Sequence, residues 1–172
     1  MGIKNGLILI QALYDLKGDY FVYEMAYRFT GEQHYRLVEK QHGISLSEMM
    51  LADAVGEDIS EFDNSFLDDT AFIKPAINLS VILKPGVIAE INGLDEVLKI
   101  DEVISYNITH SKGDAVSPSG DYSQIFLRVN MVAESYDALR AAVRRVAELL
   151  GVKSTDGSDM ILSRFELPAK GY

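Results

Sequence analysis

A chain of 172 residues with 48% hydrophobic content is long enough for one sizeable core, or for a domain carrying a smaller appended lobe. Its net charge of −10 repels phosphate backbones and anionic lipid, so neither nucleic acid nor a membrane surface is an expected partner. With no cysteine there is no disulfide, no thiolate nucleophile and no Cys-ligated metal, a composition that fits a cytoplasmic protein.

The N-terminal stretch "MGIKNGLILIQAL" has an apolar run far short of the roughly 20 residues that span a bilayer. It has no small-residue cleavage site, and Gly6 stands where a myristoylation signal needs Ser or Thr. The next feature is a hairpin, residues 7–14 against 20–29, with Lys17-Gly18 as a two-residue loop because glycine readily supplies positive φ.

Two short helices follow in "EQHYRLVEKQHG" and "SLSEMMLADAVG", each ending in glycine. The second opens with Ser45 three residues before Glu48, the spacing of a capping box. The acidic segment "EDISEFDNSFLDDTAF" reads as a surface connection between lobes. From "KPAINLSVILKPGVIAEING" onward β-branched runs split by Pro85-Gly86 predict strands, continued by "EVISYNITH" and "SQIFLRVNMVAE". The intervening "SKGDAVSPSGD" lacks the Gly-Lys-Ser/Thr ending of a phosphate-binding loop and reads as a hairpin loop. "SYDALRAAVRRVAELLG" is a helix with Leu139, Val143, Val146 and Leu150 on its apolar stripe, Gly151 as its stop and Arg140, Arg144 and Arg145 on a solvated face. The layout is α+β, with a boundary near residues 60–75.

The chemistry concentrates on the hairpin. With Lys17-Gly18 as the loop, Leu16 faces Asp19, Leu13 faces Val22, and Gln11 faces Glu24. Directly opposed residues hold their Cβ atoms about 4.5–5.5 Å apart, close enough for two side-chain oxygens to converge on one cation. Alternation puts Glu24, Ala26 and Arg28 on that face and Phe21, Tyr23, Met25, Tyr27 and Phe29 on the other, which is expected to pack. A carboxylate with an amide oxygen suits Mg²⁺, and Arg28 suits a phosphate or carboxylate. The other reading is a half-exposed sheet face on which Glu24 and Arg28 form a weak surface ion pair. His34, His42 and His110 are too scattered for a zinc pair, and no Gly-x-Ser-x-Gly elbow supports hydrolase chemistry.

The segment from "NGLILIQALYD" through "GDYFVYEMAYRFTGEQHYRLVEKQHGISLSEMMLADAVG" resembles the final part of an ATP-grasp enzyme, in the branch of carbamoyl phosphate synthase large-subunit-like and carboxylate–amine (L-amino-acid) ligases. In that family a glycine precedes a strand bearing a Gln or Glu ligand, and the next strand carries Glu-x-Asn-x-Arg. Gly6, Gln11, Glu24 and Arg28 fall on those positions, whereas Ala26 replaces the Asn and offers no ligand. The resemblance implies that Gln11 and Glu24 hold Mg²⁺ against the ATP phosphates and that Arg28 is the catalytic residue steadying the transferred phosphoryl group. It extends through "KPGVIAEINGLDEVLKIDEVISYNITHSKGDAV" and the helix "SYDALRAAVRRVAELLG".

The implied fold is α+β, with residues 1–70 as the C-terminal part of an ATP-grasp domain and residues 71–172 as a small α+β C-terminal domain. The family's glycine-rich phosphate loop, phosphate-contacting lysines and adenine-binding hinge have no counterpart here. The expectation is therefore a C-terminal fragment of an ATP-dependent ligase that joins a carboxylate or bicarbonate to an amine through an acyl phosphate. Such a piece supplies one wall of the Mg-ATP site and is inactive alone. The rival expectation is a non-catalytic binding or oligomerisation module of the same descent, and the β-rich tail leaves homodimerisation open.

Overall fold

The computed structural model describes residues 6–15, 17–60, 62 and 73–169. The chain forms two compact units, Met1–Ala71 and Phe72–Tyr172, in a mixed α+β arrangement.

In the first unit β1 (Leu9–Tyr14) pairs antiparallel with β2 (Tyr20–Ala26). The turn is not the expected two-residue loop. Asp15 N–H donates to the Asp19 carbonyl at 3.0 Å, Gly18 N–H returns to the Asp15 carbonyl at 3.2 Å, and the Asp15 carboxylate accepts from the amides of Lys17 and Asp19. An Asp at the first turn position and a Gly in the left-handed region three residues later favour this longer closure over a bare Lys-Gly loop. Leu13 accordingly faces Phe21 instead of Val22; the pairing expected for Leu16 lies outside the described residues.

The α1 helix (Tyr35–His42) ends at Gly43 in the left-handed conformation, and α2 (Leu46–Val55) ends likewise at Gly56. Ser45 accepts from Glu48 N–H at 3.2 Å, as the capping spacing requires. Glu39 of α1 accepts from both the amide and the hydroxyl of Ser47, fixing the start of α2 against α1. Most of the acidic segment expected as a connection lies outside the described residues.

The second unit contains β3 (Ala76–Ile82), β4 (Gly86–Asn92), α3 (Leu94–Val97), β5 (Val103–Ile108), β6 (Ala115–Val116), β7 (Ile125–Val132), α4 (Tyr136–Leu149) and β8 (Gly151–Ser154). One antiparallel sheet runs β3-β7-β5 and another β6-β4-β8. Alternate residues of β3 and β7, Leu79 and Val81 with Leu127, Val129 and Met131, point to a core shared with Leu139, Val143 and Val146 of α4. The stripe on α4 is thus buried as its period requires. Among the described residues, no helix is long and apolar enough to cross a membrane.

Three expectations for this unit need correction. Gly151 does not stop α4: the helix ends at Leu149, buried Leu150 turns extended into the core, and Gly151 opens β8. The helix's terminal carbonyls are instead satisfied by Arg164, whose Nη1 donates to Ala147 and Leu150, placing a cation at the negative end of the helix dipole. Arg140 is not simply solvated, since its Nε donates to the Leu167 carbonyl at 3.2 Å. Nor is "SKGDAVSPSGD" a plain hairpin loop, because it lends β6 to the second sheet, with Gly86 opposite Val116. In the same region His110 Nε2 lies 2.6 Å from the Ser123 carbonyl.

The Ser135 hydroxyl accepts from Ala138 N–H at 3.2 Å and caps α4. Ser135→Ala is expected to cost about 1 kcal/mol, measured by urea denaturation, whereas Ser135→Asp should retain most of the stability.

Candidate functional site

Gln11 stands directly opposite Glu24. The route to that pairing differs from simple counting. Near the turn the register is one residue short of the expected one; Tyr23 is then an extra, bulged residue on β2, and beyond it Gln11, Ile10 and Leu9 face Glu24, Met25 and Ala26. The bulge re-aims one side chain, as bulges do beside functional positions. Tyr23 lands on the Gln11 side, and its hydroxyl donates to Gln11 Oε1 at 2.7 Å. Tyr23 belongs with this constellation and was missed because strict alternation sends it to the opposite face. The Asp15-to-Gly18 spacing was the signal that could have revealed the shifted register.

β2 ends at Ala26, so Arg28 is on the segment leaving the strand and not on the strand itself. Its Nη1 donates to the Phe29 carbonyl at 3.0 Å and its Nη2 lies 3.9 Å from Glu24 Oε1. Both partners are about half exposed, 54% for the arginine and 45% for the glutamate, so the pair adds little stability and can exchange for a stronger ligand. Phe29 packs against the Tyr35 ring, with centroids 4.4 Å apart and planes tilted by 48°, which anchors the exit from the strand. At the other end, an added Cβ on Gly6 would collide with the Tyr27 ring, and Gly6 has φ +128°, so this position requires glycine.

The expected packing of one aromatic face is not what the first unit contains. Ile10, Tyr14, Tyr20, Val22 and Met25 on one side, and Leu13, Phe21 and Tyr23 on the other, are all exposed. A two-stranded ribbon has too few neighbours to bury either face, and strands apolar on both sides are ordinarily buried on both.

Among the described residues no group of three or more His, Asp or Glu side chains gathers to hold a metal. The donor set on the hairpin is one carboxylate and one amide oxygen on opposed positions. It fits Mg²⁺, which takes one or two protein carboxylates and fills its other positions with water and phosphate oxygens. Donation from Tyr23 uses one lone pair of Gln11 Oε1 and leaves the other available.

This architecture is the fold of part of an ATP-grasp enzyme. Its backbone is similar to an L-amino acid ligase from Bacillus licheniformis, with 24% identity and a TM-score of 0.73 over 90% of this chain and 37% of that one. A phosphoribosylglycinamide synthetase from Anaerococcus prevotii matches at 15% identity and a TM-score of 0.69, over 90% of this chain and 38% of that one. The biotin carboxylase domain of Hydrogenobacter thermophilus 2-oxoglutarate carboxylase, in complex with MgADP, ADP and bicarbonate, matches at 17% and 0.55, covering 88% and 31%. The chain therefore spans well under half the length of each of these proteins. No family model matches it, and no curated protein does.

Proposed function

We propose that the chain is the C-terminal part of a cytoplasmic ATP-dependent ligase that activates a carboxylate, or bicarbonate, as an acyl phosphate and passes it to an amine. The observation that carries this reading is the direct opposition of Gln11 and Glu24 with Arg28 beside them, on a fold shared with ATP-grasp ligases.

Gln11 and Glu24 present hard oxygen ligands from opposed strand positions, and these two side chains would hold Mg²⁺. When bound, the ion neutralises charge on the ATP phosphates and orients them for in-line attack. Arg28 reaches past the strand end. Exchanging its loose contact with Glu24 for a bidentate grip on phosphate or acyl-phosphate oxygens stabilises the charge that spreads over them in the transition state. Tyr23 fixes the Gln11 amide with its oxygen donor oriented, which limits the side-chain entropy lost on ligation.

A non-catalytic module derived from the same fold is the second reading. It is favoured by Ala26, which brings no oxygen to the position between Glu24 and Arg28.

The two readings share one expectation and differ in another. Titration calorimetry of this 172-residue chain with Mg-ATP should show no tight binding, because one wall of a site cannot enclose a nucleotide; submicromolar affinity would overturn the fragment reading. The longer protein should consume ATP only with both carboxylate and amine present if it is the ligase, and not at all if it is the module.

A further inference from the structure

A glutamine placed directly opposite a glutamate has an arrangement open to it that competes with metal binding. Gln11 and Glu24 are opposed residues of β1 and β2, and opposed Cβ atoms stand about 4.5–5.5 Å apart. At that separation the Gln11 Nε2–H₂ can donate to the Glu24 carboxylate, a charge-assisted bond stronger than one between neutral groups. Such a bond turns the amide nitrogen toward the carboxylate and the amide oxygen away from it, so the two oxygens no longer converge. Among the described residues the two side chains do not close on each other in this way. Gln11 is engaged by Tyr23 instead, and Glu24 by its 3.9 Å contact with Arg28.

Tyr23 accounts for the difference. Its hydroxyl lies 2.7 Å from Gln11 Oε1, the usual separation of an O–H···O bond and shorter than is typical of N–H···O. The phenol therefore donates and the amide oxygen accepts. Accepting that proton fixes which end of the amide faces the phenol, and it leaves the second lone pair of Oε1 for a cation. The phenol reaches Gln11 only because the register shifts between Gln11 and Ala12, which leaves Tyr23 with no partner of its own on β1. The local departure from a regular ladder and the orientation of the ligand amide are thus one feature.

We propose, resting on the reading of Gln11 and Glu24 as Mg²⁺ ligands, that Tyr23 is a positioning residue for the cation. It holds the Gln11 amide in the orientation that presents oxygen beside Glu24 and keeps the pair from closing through a Gln–Glu hydrogen bond. Outer partners of this kind, which touch a ligand and not the ion, commonly change metal affinity by about 10–100-fold. The role depends on the amide having two unlike ends. Gln11→Glu abolishes that dependence, because a carboxylate has oxygen at both ends and no N–H to donate to Glu24.

The test is NMR of the 172-residue chain titrated with Mn²⁺, an ion of the same oxygen-ligand preference as Mg²⁺ that broadens the resonances around it. Broadening at residues 11 and 24 should saturate as Mn²⁺ is added. Tyr23→Phe should raise the Mn²⁺ concentration at the midpoint at least about tenfold. In the Gln11→Glu background the same Tyr23→Phe change should leave the midpoint where it was. The substitution keeps the ring and removes one hydroxyl from a side chain that is 62% exposed, so the fold stays intact. An unchanged midpoint in Tyr23→Phe, or an equal loss with and without Gln11→Glu, would overturn the role of Tyr23. Failure of the metal reading itself looks different: the unsubstituted chain shows no saturable broadening at residues 11 and 24, which removes the cation and the role of Tyr23 with it.

Discussion

In the proposed full-length ligase, Glu24→Gln and Arg28→Ala are each expected to lower kcat by about two to three orders of magnitude, the usual loss when one preorganised electrostatic contact to a developing charge is removed. The fold should survive both changes, because the two side chains are half exposed and their 3.9 Å ion pair contributes at most about 1 kcal/mol. The two variants should also separate. Glu24→Gln keeps a weaker oxygen ligand, so raised Mg²⁺ should partly restore its rate. Arg28→Ala removes contact with the transferred group, so added metal should not help. Circular dichroism alongside steady-state kinetics makes the comparison. Wild-type rates in both variants would remove the hairpin from the active site and leave the non-catalytic module as the reading.

The second large effect concerns stability. Phe126 is fully buried at the start of β7, the strand shared by β3 and β5, and it packs in the main core. Phe126→Ala removes that ring where the surrounding strands can collapse only partly, at an expected cost of about 3–5 kcal/mol. For a unit of this size that is a fall in melting temperature of about 12 °C or more. Hydrogen exchange should show the loss of protection spread over β3, β5 and β7 together. A cost below about 1 kcal/mol would mean that the sheet is not the cooperative centre of the unit.

The elements carried by strong periodic patterns were legible in the residues alone. The α4 stripe, the Ser45 cap, the glycine ends of α1 and α2, and the β-branched runs of β3, β4 and β7 each express a local preference that the tertiary structure does not oppose. What escaped was set by contacts distant in sequence. Nothing near Leu150 announces that Arg164 will satisfy the end of α4, and so Gly151 looked like the cap. Nothing in "SKGDAVSPSGD" says that two of its residues will pair with β4.

The hairpin shows both cases at once. Its existence and the Gln11–Glu24 pair follow from the pattern, yet the pair rests on two departures that cancel, a longer turn and a bulge at Tyr23. The same bulge brings Tyr23 to Gln11, a contact no alternating pattern contains. The exposed apolar residues on both faces of the ribbon had a legible cause as well, since a strand without polar alternation expects neighbours on both sides.

The most direct test of the proposed acyl-phosphate chemistry is positional isotope exchange in the proposed full-length ligase, using ATP labelled with ¹⁸O in the β,γ-bridge, with Mg²⁺ and the carboxylate but no amine. Reversible phosphoryl transfer to the carboxylate frees the β-phosphate of ADP to rotate before ATP re-forms. The label should therefore scramble into the non-bridging positions only when the carboxylate is present, and Glu24→Gln should suppress the exchange. Scrambling that ignores the carboxylate, or none under conditions where the complete enzyme turns over, would contradict the assignment.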